Sequence, residues 1–517
     1  MMEIPYFLKE ILYRRNIKEE KEIKKFLFPT LNDISGPEII SHIEKASIEI
    51  LNGIKKNEKI FVYGDGDIDG IGGVFFILKF LKEKNGDFNY YLTHRLDDYE
   101  IEENLVDYLL NENYKIIILI DCGVSSYNFL KKCVENNIKT IVVDHHQTDI
   151  ENLPEGPIYI HPLFSSEKID LSATGLSFKL FQYLMSNYSH FCLNDYICIV
   201  GLATLSENLN LTDENRIFVK EMLKDLKYSN IKGLNLLVSK YLKKSILEID
   251  EVKIKINPKL NSPGRFGKPE ITLNLFLEEE EKEIEKLLQE IEQLDKKRYK
   301  ITQEIIKKIE EKENFEERFL VFETLPESLC GIIASRLTEK YGQPFFIASK
   351  KGNILKGSAR SPENYDLYTK MKKIKDKFLS FGGHKTAIGF KFSLNNEKEI
   401  REYWKSIKIE KNQDDEYFDI VFDIEDIKPE IFEYLNLLKP YGKGNRPPVF
   451  LCRDVSIKEI KKGKEQKYWI KKGNTIFESI FETRKKPNGE IKEIFYTPEI
   501  KEIDGYYKIS LKIKNFR

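Results

Sequence analysis

Residues 59–70, KIFVYGDGDIDG, are the segment that most clearly indicates the fold class of this chain. A short apolar run passes directly into alternating aspartates and glycines, and the run VFFILKFLKEK then continues at helical spacing. A strand that ends in a polar loop before a helix is the building unit of parallel α/β sheets. In such sheets the ligand site lies beyond the carboxyl ends of the strands, so the acidic loop predicts where a site lies.

Two later segments repeat this pattern. Residues 114–126, YKIIILIDCGVSS, predict a strand that ends at Asp121 and is followed by a helix. Residues 136–149, NNIKTIVVDHHQTD, predict a strand that ends at Asp144. A lone aspartate at a strand end is usually a helix cap, and a histidine pair is more often structural than a ligand. Three consecutive strands that all end in such residues favour a common site instead.

The residues at the three strand ends predict a site for two metal ions. Carboxylates brought to one edge repel one another, and divalent cations remove that repulsion. Oxygen ligands with an imidazole favour Mn²⁺ or Mg²⁺, and a bridging carboxylate can hold two ions about 3.5–4 Å apart for in-line attack at phosphorus. Gly64, Gly66 and Gly70 would let the backbone approach the metals or a phosphate closely. The candidate residues are Asp65, Asp67, Asp69, Asp121, Asp144, His145 and His146.

The rest of the chain predicts a second lobe and a small β domain. Residues 278–318 carry apolar side chains at helical spacing among Glu and Lys, which indicates one long amphipathic helix, and a second α/β unit follows. From Arg453 to Arg517 there are 17 Lys or Arg against 10 Asp or Glu, with aromatic residues interleaved. This composition suits a basic barrel for single-stranded nucleic acid, and the alternative is an ordinary β domain with core aromatics.

The composition of the whole chain says more about its cellular compartment than about its function. The 517 residues include 83 Lys or Arg and 84 Asp or Glu, so the net charge of −1 does not by itself indicate a nucleic-acid-binding protein. The charged first residues lack the apolar segment of a signal peptide, and no apolar stretch approaches the roughly 20 residues of a membrane span. We therefore expect a cytoplasmic protein without a membrane segment. Free thiols, typical of a reducing compartment, are expected at Cys122, Cys133, Cys192, Cys198, Cys330 and Cys452.

The motifs resemble those of a known family. The first three motifs of the DHH phosphoesterases are similar to the segments GDGDIDG, LIDCGVSS and VVDHHQTD of this chain. Six further segments are similar, in order and spacing, to the RecJ pattern within that family. They are SATGLSFKL, LNSPGRFG, GIIASRL, GSARS, FGGHKTAIGF and PYGKGNRPPVF. The opening stretch ILYRRNIKEEKEIKKFLFPTLND is also similar, so the resemblance covers nearly the whole chain.

The resemblance implies a fold and an activity. The fold class would be α/β, with a parallel-sheet DHH catalytic lobe joined by a long helix to a second α/β lobe, and a C-terminal OB-like β-barrel domain. The activity would be 5′-to-3′ exonucleolytic hydrolysis of single-stranded DNA by two metal ions, with release of 5′-mononucleotides, in DNA repair and recombination. Besides single-stranded DNA, the candidate partners are a helicase and a single-strand-binding protein, and the chain would be a monomer.

The resemblance also implies roles for the candidate metal ligands. Asp67 and Asp69 would ligate separate metals, and Asp65 would ligate or orient beside them. Asp121 would bridge the two ions, and His145 would be a further ligand.

Further roles concern the substrate. His146 would contact the scissile phosphate or lie just behind the metal ligands, while Asp144 would hold a histidine in the needed tautomer. Arg265 resembles a phosphate-binding arginine, because its planar fork matches phosphate oxygens. The second lobe would bind the nucleotide through Ser335, Arg336, Ser358, Arg360, Gly382, Gly383 and His384.

Two positions depart from the RecJ pattern. Glu207 stands where RecJ has an aspartate metal ligand, and it can ligate only if the backbone or rotamer adapts to its extra methylene. Pro326 stands near the place of a histidine, and proline can neither donate nor ligate. Two alternative functions therefore stay open: a catalytically weakened, RecJ-like replication scaffold, and a phosphodiesterase of short oligonucleotides.

The predicted domains follow from these motifs. They are an N-terminal helical segment at 1–50, a DHH catalytic lobe at 51–277, a connecting long helix at 278–318, a DHH-associated α/β lobe at 319–410 and an OB-like nucleic-acid-binding domain at 411–517.

Overall fold

A computed structural model gives the fold of the chain, which divides into two compact units. The larger unit comprises Ser35–Leu209 and Glu221–Glu410. The second, here called the barrel unit, comprises Met1–Ile34, Asn210–Lys220 and Lys411–Arg517. The structure describes residues 4–94, 101–165, 168–186, 195–244, 246–311, 318–407, 417–461, 467–481, 491–503 and 506–517.

Both units contain α-helices. They are α1 (Tyr6–Arg14), α2 (Glu20–Leu27), α3 (Ile43–Lys55), α4 (Ile68–Glu83), α5 (Asn104–Asn111), α6 (Tyr127–Glu135), α7 (Ala173–Met185), α8 (Ile197–Ser206), α9 (Asp213–Asp225), α10 (Lys232–Tyr241), α11 (Ile249–Lys255), α12 (Asn257–Arg265), α13 (Glu270–Leu277), α14 (Glu281–Glu310), α15 (Cys330–Tyr341), α16 (Leu367–Lys372), α17 (Glu397–Ser406) and α18 (Ile431–Leu437).

The first lobe of the larger unit is a parallel sheet. Its strands are β1 (Lys59–Gly64), β2 (Phe88–Leu92), β3 (Tyr114–Ile120), β4 (Lys139–Val143) and β5 (Ile158–Ile160). They lie in the order β2-β1-β3-β4-β5, so the strand ends that carry the acidic motifs are neighbours. The central strand β3 reads YKIIILI and is buried along nearly its whole length, as expected of a strand covered on both faces.

The second lobe is a mixed sheet joined to the first by the long helix α14. Its strands are β6 (Phe319–Phe322), β7 (Phe345–Lys351), β8 (Ile354–Arg360), β9 (Ser380–His384) and β10 (Ala387–Ser393). They lie in the order β6-β7-β8-β10-β9, with only β6 and β7 paired in parallel. The predicted long helix and second α/β lobe are confirmed.

The barrel unit contains a closed barrel. Its strands are β11 (Ile420–Val421), β12 (Phe450–Lys461), β13 (Lys467–Lys472), β14 (Thr475–Phe481), β15 (Ile491–Ile503) and β16 (Tyr506–Phe516). The ring runs β12-β13-β14-β16-β15 and closes through the pairing of β12 with β15, which leaves β11 as an added edge strand. One core holds the barrel interior together with residues of α1 and α2, among them Leu8, Leu12 and Leu27.

The predicted fold class is confirmed by these three sheets. In the ranges that the structure describes, no helix combines the length and apolar character that crossing a bilayer requires. Five of the six cysteines are free thiols, and Cys192 lies outside the described residues.

Candidate metal centre

Asp65 and Asp67, in the loop after β1, are held by hydrogen bonds. Asp67 is the N-cap of α4, and its Oδ1 accepts hydrogen bonds from the backbone N–H of Asp69 at 2.9 Å and of Gly70 at 3.3 Å. Asp65 Oδ1 accepts a hydrogen bond of 2.7 Å from the hydroxyl of Thr93, which directly follows β2. Both carboxylates are thereby held at the carboxyl edge of the sheet.

Asp69, the third aspartate, is buried against the start of α7. Its two carboxylate oxygens accept hydrogen bonds from the backbone N–H of Ala173 at 2.9 Å and of Thr174 at 2.8 Å. The first turn of a helix carries partial positive charge and unpaired N–H groups. The N-terminus of α7 therefore compensates the charge of a fully buried carboxylate.

Gly66 is required by packing between backbones. A Cβ at this position would lie 2.0 Å from the carbonyl oxygen of Thr93 and 3.3 Å from Pro269 Cβ. The sequence predicted that the glycines of this loop serve an approach to metal or phosphate. At Gly66 the neighbouring protein backbone already excludes a side chain.

Asp121 directly follows β3 and points into the same cluster. Its backbone is left-handed, with φ of 59°, a conformation that few non-glycine residues adopt outside constrained sites. Its Oδ1 lies 3.4 Å from His145 Nε2, and His145 Nε2 lies equally far from Asp69 Oδ2. Asp121 Oδ1 and His145 Nε2 are both buried and have no hydrogen-bond partner.

Asp144 organises the two histidines that follow β4. Its Oδ1 accepts hydrogen bonds from the backbone N–H of His145 at 2.7 Å, the backbone N–H of His146 at 3.1 Å and His146 Nδ1 at 2.7 Å. Because Nδ1 donates to a carboxylate, the other ring nitrogen of His146 is left for a different partner. The role of Asp144 in holding the tautomer of a histidine stays a prediction.

Burial and charge shift the pKa values in this cluster in opposite directions. Burial, followed by the negative charges of Asp69 and Asp67, holds the pKa of Asp121 well above its usual range. Burial lowers the pKa of His145. Burial also acts to lower the pKa of His146, but the charge and hydrogen bond of Asp144 outweigh it and raise that pKa to about 9. Crowded carboxylates thus surround an aspartate that is costly to ionise without a compensating cation.

The donor atoms fit divalent metal ions. Two groups have ligand atoms within 4.8 Å of one another: Asp65, Asp67 and Asp121 form the first, and Asp121, His145 and His146 form the second. Asp121 belongs to both groups, as a bridging carboxylate must. Carboxylate oxygens with imidazole nitrogen suit Mn²⁺ or Mg²⁺, and a cation would satisfy the two buried, unpartnered atoms.

Glu207 lies close to this centre but outside the two groups. It follows the last residue of α8, and its negative charge contributes to raising the pKa of Asp121 and of His146. Among the described residues it does not share a ligand set with either group. A role for Glu207 as a metal ligand stays a prediction.

Residues of the second lobe meet the centre at His384. The rings of His384 and His146 are stacked, with centroids 5.9 Å apart and an interplanar angle of 15°. Gly382 and Gly383 lie on the same strand, β9. Arg265, at the end of α12, donates a hydrogen bond of 2.6 Å to the backbone carbonyl of Ser328, which joins the first lobe to the second.

The other predicted nucleotide-binding residues lie on β8 and α15. Ser358 and Arg360 lie beside Gly331, where a Cβ would be 3.5 Å from the Ser358 hydroxyl and 3.0 Å from the Arg360 guanidinium. Ser335 lies on α15, and the guanidinium of Arg336 on the same helix lies 6.0 Å from the ring centroid of Tyr299 on α14. Their contacts with a nucleotide stay predictions.

Three residues at the site were missed by reasoning from the sequence. They are Thr93, which holds Asp65; His161, whose Nε2 lies 2.9 Å from the backbone carbonyl of His146; and Asn261, which contacts the start of α4. Leu163 N–H donates to His161 Nδ1, so Nε2 is the protonated nitrogen and donates to that carbonyl. The available signals were the position of Thr93 directly after a strand of this sheet and the position of Asn261 within the motif LNSPGRFG.

Thr93→Val should weaken metal binding at this centre. The change keeps the shape of the side chain but removes the hydroxyl that donates to Asp65 and accepts from Gly66 N–H. We expect the affinity for Mn²⁺ to fall about 10–100-fold, as when residues that orient metal ligands are lost, and the free energy of unfolding to fall by about 1 kcal/mol. Calorimetric titration with Mn²⁺ measures the affinity.

Thr140→Val is the matched control for this experiment. Thr140 is a buried threonine of β4 whose hydroxyl donates to the backbone carbonyl of Ile138, away from the aspartates. An equal loss of Mn²⁺ affinity in both variants would show that Thr93 has no special connection to the centre.

Comparison with known protein families accounts for most of the chain. The DHH family N-terminal domain matches residues 59–204, the DHHA1 domain matches residues 319–408, and the RecJ OB domain matches residues 418–515. The first match contains the three aspartate loops, and the third contains the closed barrel.

Two relatives of this chain are both named single-stranded-DNA-specific exonuclease RecJ. The chain is 26% identical over 470 residues to the single-stranded-DNA-specific exonuclease RecJ of Bacillus subtilis, covering 87% of this chain and 59% of the relative. It is 27% identical over 420 residues to RecJ of Thermus thermophilus, covering 79% of this chain and 61% of the relative. The chain thus spans about three fifths of the length of these two relatives.

A solved structure shares the fold. The crystal structure of RecJ in complex with Mn²⁺ from Thermus thermophilus superimposes with a TM-score of 0.82 at 20% identity, over 99% of this chain and 76% of that one. A crystal structure of exonuclease RecJ bound to manganese gives a TM-score of 0.61 at 23% identity, over 71% of this chain and 94% of that one. With DHH, DHHA1 and RecJ OB domains in this order, the chain belongs to the DHH family, in its RecJ branch.

Proposed function

We propose that this chain is a metal-dependent exodeoxyribonuclease that degrades single-stranded DNA from the 5′ end and releases 5′-mononucleotides, in DNA repair and recombination. The observation that carries the proposal is the buried pair of Asp121 Oδ1 and His145 Nε2, unpartnered and surrounded by carboxylates. A protein that only needed this fold would gain nothing from a repulsive acidic cluster at a sheet edge. The RecJ relatives, which are named as exonucleases, support the substrate.

The cofactor in this proposal is a pair of divalent ions, Mn²⁺ or Mg²⁺. Asp65 and Asp67 would hold one ion, His145 would hold the other, and Asp121 would contact both. Asp69 and Glu207 stay candidate ligands outside the two converging groups, and both place negative charge near Asp121. When bound, such ions supply Lewis acidity that activates water and stabilises negative charge at the phosphate.

The chain's own residues would orient the scissile phosphate. His146 is fixed through Nδ1 by Asp144, which directs its other ring nitrogen away from the carboxylate. The stacked ring of His384 limits the positions that the His146 ring can take. We propose that His146 contacts a phosphate oxygen, and that Ser358 and Arg360 on β8 bind the same nucleotide from the second lobe.

The barrel unit would supply affinity for a long single strand. Trp469, Tyr506 and Tyr507 are 40%, 79% and 72% exposed, so their rings are accessible for stacking on bases. Tyr468 and Tyr496, by contrast, are buried and belong to the core. Some aromatic residues of the barrel unit are therefore available for stacking on bases, and others are part of its core.

The domain boundaries, the partners and the compartment belong to the same proposal. We propose that residues 51–277 carry the chemistry, residues 319–410 bind the nucleotide and residues 411–517 bind the strand. A helicase and a single-strand-binding protein are the proposed protein partners of a monomeric chain. The five free cysteines agree with a reducing compartment such as the cytoplasm.

Metal removal tests the activity directly. A single strand of about 30 nucleotides, longer than the site of one OB fold, is labelled at the 5′ or the 3′ end and incubated with Mn²⁺, Mg²⁺ or EDTA. We expect early release of the 5′ label as a mononucleotide with either metal or both, and hydrolysis reduced to background in EDTA. Early release of the 3′ label would contradict the proposed polarity.

The same assay separates the alternative functions. No cleavage with any metal would favour a scaffold. The loss of activity would then be attributed to Glu207, which stands in place of an aspartate ligand. Faster turnover of a dinucleotide than of the long strand would favour a phosphodiesterase of short oligonucleotides, because such an enzyme gains nothing from a strand-binding barrel.

A further inference from the structure

Asn261 of α12 joins two segments of the metal centre that are far apart in the sequence. Its Oδ1 accepts a hydrogen bond of 3.0 Å from the backbone N–H of Ile68, the first residue of α4. Its Nδ2 donates a hydrogen bond of 3.2 Å to the hydroxyl of Ser206, the residue before Glu207. Asn261 is 9% exposed; its hydrogen bond with Ile68 is buried, and the one with Ser206 is partly buried.

The hydrogen bond between Asn261 and Ile68 stabilises the aspartate loop at the residue where α4 begins. The first backbone N–H groups of an α-helix have no partner within the helix. Asp67 satisfies those of Asp69 and Gly70, and Asn261 satisfies that of Ile68. Asn261 therefore completes the capping of the helix whose first turn carries Asp69 and whose N-cap is Asp67.

The end of α12 also packs directly on this loop. A Cβ on Gly264 would lie 2.0 Å from the carbonyl oxygen of Gly66, so the two backbones are in contact. At Gly264 only hydrogen fits, and the distance from α12 to the loop is set by backbone atoms. Asn261 and Gly264, three residues apart, lie on neighbouring positions of one helix face.

A buried ion network anchors α12 itself. Ser262 Oγ lies 3.1 Å from Asp295 Oδ1 on α14, and Lys259 Nζ lies 2.8 Å from Asp295 Oδ2. Arg298 donates to the same Asp295 at 2.7 Å and to Ser262 Oγ at 3.1 Å. The helix α12, which contains Asn261, is therefore held against the long helix α14 by these contacts.

From this geometry we infer that Asn261 is a positioning residue that sets the distance between the Asp67–Asp69 loop and Glu207. The inference rests on the proposed function, since it concerns the same metal centre. One amide bridges the start of α4 and the end of α8, so a shift of either segment would break one of its two hydrogen bonds. Glu207 is one methylene longer than aspartate, and a fixed position of Ser206 determines how far its carboxylate reaches.

Asn261→Ala tests the inference in the full-length protein. We expect the affinity for Mn²⁺, measured by calorimetry, to fall about 10–100-fold, with kcat reduced and the KM for DNA little changed. Ser206→Ala removes only one of the two hydrogen bonds and should weaken Mn²⁺ binding by a smaller factor. It also keeps the test valid if Asn261→Ala fails to fold.

Asn257→Ala is the matched control. Asn257 is a buried amide of the same helix, and its Nδ2 donates to the backbone carbonyl of Leu202 rather than to Ser206. We expect it to lower the melting temperature and to leave Mn²⁺ affinity unchanged.

Each outcome decides between specific explanations. Unchanged Mn²⁺ affinity in Asn261→Ala, or equal losses in Asn261→Ala and Asn257→Ala, would overturn the positioning role while leaving the proposed function intact. Absence of Mn²⁺ binding by the wild-type protein would instead refute the proposed metal centre, and the role of Asn261 with it.

Discussion

Asp121→Asn should abolish hydrolysis of single-stranded DNA while DNA binding survives. Asp121 belongs to both groups of converging ligand atoms, so its loss affects both proposed ions together. Asparagine has nearly the same size but carries no charge and offers one acceptor oxygen instead of two. We expect kcat to fall by at least about 10³-fold, the size of effect seen when a group that stabilises transition-state charge is removed.

Binding and turnover must be measured separately for this variant. Fluorescence anisotropy with labelled single-stranded DNA should give an affinity close to that of the wild type, because the barrel and second lobe are unchanged. Asp107→Asn is the control, since this exposed aspartate of α5 makes only a surface ion pair with Lys132 at 3.1 Å. Turnover retained by Asp121→Asn at the level of the control would place the chemistry elsewhere.

Phe346→Ala should cause the largest loss of stability in the second lobe. Phe346 lies in the middle of its core, stacked between Phe319 at 4.1 Å and Phe390 at 3.9 Å between ring centroids, with Trp404 edge-on at 5.4 Å. The truncation leaves a cavity at a fully buried position and removes these aromatic contacts. We expect the free energy of unfolding to fall by about 3–5 kcal/mol.

Tryptophan fluorescence offers a local readout of this loss. The chain has two tryptophans, and Trp404 is buried in the affected core whereas Trp469 is 40% exposed in the barrel unit. In a Trp469→Phe background, urea unfolding followed through Trp404 reports on the second lobe. The control Leu379→Ala, at a 62% exposed position, should change the stability by no more than about 0.5 kcal/mol. Equal midpoints for the two variants would contradict the central place of Phe346 in this core.

The parallel sheet and its acidic edge could be predicted because the relevant pattern is local. Each strand is an apolar run that ends in a polar residue, and parallel neighbours bring those ends together. Asp65, Asp121 and Asp144 therefore lie at one edge, as β1, β3 and β4 are adjacent in the sheet. The small C-terminal β domain was predicted from composition, whereas its OB-like barrel was implied by the family resemblance.

The partners of these residues could not be predicted from local pattern. Asn261 and Ile68 are 193 positions apart, and Thr93 and Asp65 are 28 apart, so their contacts depend on how whole helices and strands pack. The periodicity of α1 and α2 indicates that one face of each is buried, but not that this face joins the core of the barrel. Periodicity identifies a buried face and leaves its partner open.

The proposed two-metal centre can be observed by diffraction from crystals of the full chain grown with Mn²⁺, recorded at the manganese absorption edge. We expect two anomalous peaks at the carboxyl edge of the first sheet, both beside the Asp121 carboxylate, one near Asp65 and Asp67 and one near His145. Peaks confined to exposed carboxylates elsewhere, or no peak at Asp121, would contradict a metal-dependent nuclease and favour the scaffold.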